Sequence, residues 1–392
     1  MKVTGIIAEY NPFHNGHKYQ TDTIRKNGSD YIIAIMSGDF TQRGEPAITD
    51  KYARARMALL GGVDLVIELP VRYATSDAKR FAEGGVSILD SLGTVDELAF
   101  GVEEGSEDLV LEFAEFLSDP PALYEETLDS YLRKGYSYPL ARIKALGMFF
   151  DESRLDYLEG PNTILGIEYC RAIKRCKSSI VPKAITRKGS DYSATELDVD
   201  GMSSASAIRL LLRETFDEEL LLKHMPASSV VALKIAKLMY QSDFDAYLHY
   251  RLINETEFGD YMDITRAFAG RIISSVGEYI DYESYIRALK SKNITYTSVN
   301  RLLTHIMLGL KGPAPVVVPY ARVLGFRKSA EPLLSEIKKK SRIPLVTKLA
   351  DAQMHTCLAS DIKAADIYES ALTDKYHTPM NNEYSRQLVI ID

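Results

Sequence analysis

Two histidines with a glycine between them, His14-Asn15-Gly16-His17, are the first residues in this chain whose types and spacing could do chemistry. Ahead of them Val3-Thr4-Gly5-Ile6-Ile7-Ala8 is short and apolar, in the manner of a buried parallel strand. After them Lys18-Tyr19-Gln20-Thr21-Asp22-Thr23-Ile24 holds no breaker and reads as a helix. Asn11-Pro12 forces a turn between the two, because proline fixes its own φ and drives the preceding residue out of the helical region. Asn15 or Gly16 then sits near the helix N-terminus, where free backbone N–H groups and the helix dipole favour an anion. Gly16 has no Cβ and lets a phosphate approach the backbone. The imidazoles of His14 and His17 can both face that anion; the plainer alternative is a pair of capping or core histidines.

A second candidate is Ser203-Ser204-Ala205-Ser206-Ala207-Ile208-Arg209, which runs into Leu210-Leu211-Leu212. Serines at a helix start offer hydroxyls and N–H groups to phosphate oxygens, and Arg209, one turn in, is a fixed cation for growing phosphate charge. The alternative is an ordinary N-cap with a surface arginine. Arg187 and Lys188 follow Ser179-Ile180-Val181-Pro182-Lys183-Ala184-Ile185, a fifth strand that Pro182 places near an edge. Gln42 and Arg43 lie in the polar loop from Ser37 to Ala47, at a strand end where ligands bind in open α/β sheets and where they can meet phosphates or a substrate carboxylate; a surface turn with a solvated arginine is the other reading. No Cys/His or Ser/His/Asp constellation for a covalent acyl-enzyme is recognisable.

The elements that must hold these residues follow a regular rhythm. Strands are expected at Tyr31–Met36, Val63–Pro70 and Glu97–Phe100, with helices at Lys51–Leu60, stopped by Gly61-Gly62, and Asp77–Leu92, ended by Gly93. This alternation predicts an α/β fold with a doubly wound parallel sheet. From Glu103 to about Gly147 the chain reads as helical. Its acidic run Glu103, Glu104, Glu107, Asp108, Glu112 and Glu115 reads as a solvated face without chemistry. Pro161-Asn162 marks another helix start, with Asn162 as its cap.

His14-Asn15-Gly16-His17 resembles the HxGH signature of the nucleotidylyltransferase superfamily. The wider Glu9-Tyr10-Asn11-Pro12-Phe13-His14-Asn15-Gly16-His17 resembles the bacterial tRNA(Met) cytidine acetate ligase family. The loop from Ser37 resembles that family's second motif. The serine-rich stretch resembles the superfamily's ISSTxIR motif, with Ser203, Ala205 and Ser206 departing from it. No KMSKS-like loop is found, which argues against the class I aminoacyl-tRNA synthetases. The resemblance implies a Rossmann-like catalytic domain at residues 1–214. It implies catalytic roles for His14, His17 and Arg209. It implies ATP contacts from Ile7, Ala8, Glu9, Tyr10, Asn11, Pro12, Phe13, His14, Asn15, Gly16, His17, Lys18, Tyr19 and Gln20, and from Gly101, Asn162, Arg187, Lys188, Ser204 and Ser206. The implied reaction joins acetate to ATP as acetyl-adenylate and then acetylates N4 of the wobble cytidine (C34) of elongator tRNA(Met). Mg²⁺ is expected with ATP, held by phosphates and water without a dedicated protein cage.

The rest of the chain bounds these readings. At 392 residues it exceeds one ordinary core. It is 46% apolar and 26% charged, as soluble globular proteins are, and no stretch is long and apolar enough for a bilayer. The N-terminal run reads as a strand rather than a signal peptide. Cys170, Cys176 and Cys357 have no metal or disulfide spacing and fit a reducing cytoplasm. No membrane or DNA partner is expected. The net charge of −7 argues against a bulk grip on nucleic acid, though not against a local basic face.

From residue 215 to 392 amphipathic helices are expected at Ser229–Tyr240, Thr265–Ser275, Tyr282–Lys292 and Val299–Leu310, with a short strand at Val316-Val317-Val318. This gives a mainly α-helical C-terminal domain. Between Arg322 and Lys348 eight basic residues face two acidic ones, with Tyr320 and Phe326 nearby. Such an excess suits an RNA backbone and a stacked base, or simply a solubilising face. Two other functions compete. One is a nucleotidylyltransferase acting on a small phosphate ester, disfavoured by the added helical region. The other is an RNA-binding protein with a degenerate ATP site, disfavoured by the intact His14, Gly16, His17 and Arg209.

Overall fold

The computed structural model describes residues 1–103, 105–188 and 196–392, so Glu104 lies outside the described residues. Five parallel strands form where the apolar runs predict them: β1 (Val3–Ala8), β2 (Tyr31–Ser37), β3 (Leu65–Leu69), β4 (Glu97–Val102) and β5 (Val181–Thr186). Their order is β5-β4-β1-β2-β3, with β5 beyond β4 as Pro182 requires. The first three strands progress one way from β1 and the next two lie on its other side. The switch point between β1 and β4 opens a crevice at their C-terminal ends.

The C-terminal half also contributes to this sheet. β6 (Ala321–Arg327) pairs antiparallel with β3, and β7 (Leu345–Val346) and β8 (Val389–Ile391) pair with β6. Before it returns, the chain forms the helices Ala227–Ile235, Asp245–Asn254, Arg266–Ser275, Tyr282–Leu289 and Tyr296–Leu308. Several of these, Leu248, Tyr282 and Leu303 among their residues, close over a second core.

Three expectations are corrected here. Val316–Val318 is not a strand; Val316 and Val317 are exposed, and Pro313, Pro315 and Pro319 deprive that stretch of ladder donors. Tyr320 and Arg322 do not belong to a basic outer face. Tyr320 is 1% exposed and its hydroxyl donates to Asp361. Arg322 lies inside the sheet's cover, 3.1 Å from Glu68 Oε2 and paired with Glu383. Lys51 joins the same cluster, its Nζ 2.9 Å from Glu68 and 3.2 Å from Glu383. Finally, the acidic run is not wholly solvated. Glu103 accepts hydrogen bonds from Asn162 Nδ2 (2.9 Å) and Thr163 N–H (2.9 Å), capping the helix Pro161–Arg175. Pro121 and Gly135 divide the region beyond it into Glu107–Ser118, Ala122–Arg133 and Tyr138–Leu146. No described helix is long and apolar enough to cross a membrane.

Candidate active site

The turn after β1 delivers His14 as the N-cap of the helix Asn15–Lys26, through a cis Asn11–Pro12 peptide. His14 Nδ1 accepts the N–H of Gly16 at 3.0 Å, and His17 Nδ1 accepts the N–H of His14 at 3.3 Å. The same two rings cap the helix start and line a cleft. With both Nδ1 atoms accepting, each neutral ring carries its proton on Nε2. Burial, then the guanidinium groups of Arg187 and Arg209, pushes His14 down to about 3. His17 is held well below its ordinary value by burial, then by His14 and Arg187. Both rings are thus neutral donors at pH 7, with centroids 3.9 Å apart. Gly16 has a steric reason of its own here: a Cβ would lie 2.9 Å from His14 Cε1.

One cleft gathers Ile7, Ala8, Glu9, Tyr10, Asn11, His14, Gly16, His17, Tyr19, Gln20, Gly101, Asn162, Arg187, Lys188, Ser206 and Arg209. Arg209 Nη1 donates to Asn11 O (2.8 Å) and Nη2 to Ser206 Oγ (3.3 Å), tying the helix Ala205–Glu214 to the turn after β1. Lys188 Nζ sits 4.9 Å from the Tyr19 ring centroid. Gly101 makes room for a side chain: a Cβ there would meet Arg187 Cγ at 3.0 Å. Asn162 is not the expected N-cap, which is Gly160. It lies in the first turn, tied to Glu103.

The cleft lining does not include Pro12, Phe13, Asn15, Lys18 or Ser204. Phe13 is buried against Tyr10 and His17. Asn15 Nδ2 donates to Gly201 O (3.1 Å) and Lys223 O (2.9 Å), so it holds the 201–224 segment against the helix start. Lys18 pairs with Asp22, one turn along its own helix. Ser204 caps the helix Ala205–Glu214, its Oγ accepting the N–H of Ala207 at 3.1 Å.

Several residues with no local signal complete the site. Tyr169, Phe81 and Phe100 line it. Arg54, fully buried, donates to Thr49 O (3.0 Å), Glu9 O (2.7 Å), Ser37 O (3.0 Å) and Gly38 O, lacing together the ends of β1 and β2. Four backbone acceptors around one guanidinium satisfy a charge that burial alone would expel. Among the described residues no group of three His, Cys, Asp or Glu side chains is gathered for a metal. What the cleft offers is a helix N-terminus, two neutral Nε2–H donors and fixed cations. Such a set suits transfer at a phosphate, where positioning and charge stabilisation carry most of the rate.

A family model described as HIGH Nucleotidyl Transferase matches residues 1–383. Among curated proteins, the tRNA(Met) cytidine acetate ligase of Clostridium acetobutylicum is 37% identical over 100% of both chains. That of Clostridium perfringens is 38% identical over 94% of this chain and 95% of its own. Among solved structures, apo Thermotoga maritima TmcAL superposes with a TM-score of 0.92 at 30% identity, covering 100% of both chains. The same protein bound with alpha-thio ATP gives 0.89 at 30% identity, again over 100% of both.

Proposed function

The chain belongs to the tRNA(Met) cytidine acetate ligase family of HIGH nucleotidyl transferases, and from that premise we propose how its cleft serves an ATP-dependent acetylation of tRNA(Met). A carboxylate oxygen of acetate attacks the α-phosphorus of ATP, and the bond to the β-phosphate bridging oxygen breaks. Acetyl-adenylate forms and pyrophosphate leaves. N4 of the wobble cytidine then attacks the acetyl carbonyl, AMP departs, and N4 loses one proton. The observation that carries this reading is the mutual capping of His14 and His17, which aims two uncharged N–H donors away from the helix that orients them. Acetate is already ionised at pH 7, so the first step needs no general base. Its barrier is charge repulsion and positioning, which such donors with Arg187 and Arg209 lower.

Mg²⁺ would arrive with the nucleotide, held chiefly by phosphate oxygens and water. We assign residues 1–214 to catalysis and 215–392 to tRNA binding, the latter also completing the sheet through β6–β8. A cytoplasmic location accords with a tRNA substrate. Pyrophosphate exchange into ATP, with and without acetate and before any RNA is added, tests the first step. Acetate-dependent exchange is expected. Its absence, both alone and with tRNA present, overturns carboxylate activation.

A further inference from the structure

The loop after β2 brings Gln42 to the cleft from the side of β1 opposite β4 and β5, the strands that deliver Gly101 and Arg187. Its backbone N–H donates to Glu9 Oε1 at 2.8 Å. Its side-chain Nε2 is different: it is buried and has no hydrogen-bond partner among the described residues. Tyr10, on the same cleft, repeats the pattern. It is fully buried, its backbone is left-handed at φ 47°, and its hydroxyl is likewise unpartnered. Buried polar atoms without partners and non-glycine residues at positive φ are both costly, and they concentrate where a ligand completes them.

Charge separates the two flanks of the cleft. Arg187 and Lys188 lie on the β5 side. The β1–β2 side carries Glu9, and Glu45 stands 4.0 Å from Arg209. A polyphosphate is drawn to the first flank more than to the second, where Glu45 offsets Arg209. A small monoanion satisfied by neutral donors suits the second, and neutral donors leave a carboxylate more nucleophilic than a bound cation would. We propose that Gln42 donates from Nε2 to the carboxylate of the attacking acetate. This rests on the reading of acetate as substrate.

The loop that carries Gln42 is braced by the C-terminal half. Asn300 Nδ2 donates to Arg43 O at 2.9 Å and Thr304 Oγ1 to Gly44 O at 2.6 Å. Gln241 Nε2 in turn holds Asn300 Oδ1 at 2.6 Å. Gly44, at φ 73°, lies so close to this helix that a Cβ would meet the Arg301 backbone nitrogen at 2.5 Å. Asn300 and Thr304 are therefore positioning residues for Gln42.

The test measures KM for acetate and for ATP separately, by acetate-dependent exchange with the full chain. Gln42→Ala is expected to raise the acetate KM by about tenfold or more, as loss of a hydrogen bond to a charged group does, with the ATP KM held within about twofold. Gln42→Glu, close in shape but anionic, is expected to raise it further. Asn300→Ala is expected to give a smaller rise, again for acetate alone. An unchanged acetate KM in Gln42→Ala, or an ATP KM that rises in parallel, overturns the assignment. Thermal unfolding of each variant shows that it is folded, and Gln42→Glu decides the question if the alanine variant is not. Wild-type protein inactive with acetate, even with tRNA, overturns the substrate reading and this assignment with it. An active wild type with an unaffected Gln42→Ala overturns this assignment only.

Discussion

His17 accepts the backbone N–H of His14 on Nδ1, while His14 accepts the N–H of Gly16 on its own Nδ1. The two rings that face the cleft are therefore also the two that start the helix. Their tautomers follow from the cap: Nδ1 is committed to the backbone, so Nε2 holds the proton. In the proposed reaction a phosphate would meet a pair of N–H donors whose orientation costs nothing at the moment of reaction.

His17→Ala is expected to fold and to lose adenylate formation. The cap it forfeits is worth about 1 kcal/mol, which in a chain of this size shifts Tm by a few degrees. Loss of one preorganised donor lowers such rates by about 10²-fold or more. Exchange at the wild-type rate in a folded His17→Ala protein would remove His17 from the site.

The same burial predicts a pH dependence of stability. The unfolded chain takes up a proton at His14 near the usual 6.5, while the folded chain refuses it down to about 3. The unfolded state thus binds more protons between these values, so the contribution of neutral His14 is intact above 6.5 and is lost as pH falls. Asn at position 14 still offers an oxygen to the cap. The Tm advantage of wild type over His14→Asn should therefore shrink between pH 7.5 and 5. Asp39, pushed up to about 6 by burial, has the opposite sign but is common to both proteins and cancels. A difference that stays constant with pH would refute the buried neutral state.

Arg322→Leu would leave Lys51 as the remaining ion-pair partner of Glu68 and Glu383 among the described residues. Breaking a buried pair in this way costs about 3–5 kcal/mol, so Tm should fall by on the order of 10 °C. Lys339→Ala, at an exposed pair with Glu336, should leave Tm unchanged. Equal melting temperatures for the two variants would contradict the buried cluster.

Gly16→Ala separates stability from activity. Alanine is the better helix former by about 1 kcal/mol, yet its Cβ would press on His14 Cε1 at 2.9 Å and turn the ring. Circular dichroism should show an undiminished fold, and pyrophosphate exchange should fall sharply. Full exchange activity would mean that the His14 ring need not hold this orientation.

Much of the site was legible because its parts are local. Strand, turn, cap, glycine and the second histidine all lie within residues 3–17, and Ser204 to Arg209 within one helical turn and a half. Asn162 was legible as belonging to a helix start but not as the partner of Glu103, which lies 59 positions away. Lys18 matches the motif by position, yet its side chain follows the helix outward to Asp22.

The order of residues by itself determined the strand–turn–helix at the N-terminus, the parallel rhythm from β1 to β5 and the anion-directed chemistry proposed for the site, because each rests on neighbours along the chain and on backbone rules. Only the tertiary structure decided that Arg322 is an interior charge, that β6 closes onto β3, and that Asn300 braces Arg43 from 257 positions away. A basic residue in a strand reads the same whether it meets water or a buried carboxylate. What distinguishes the two is the set of groups that the folded sheet brings against it, and that set is absent from any local window of sequence.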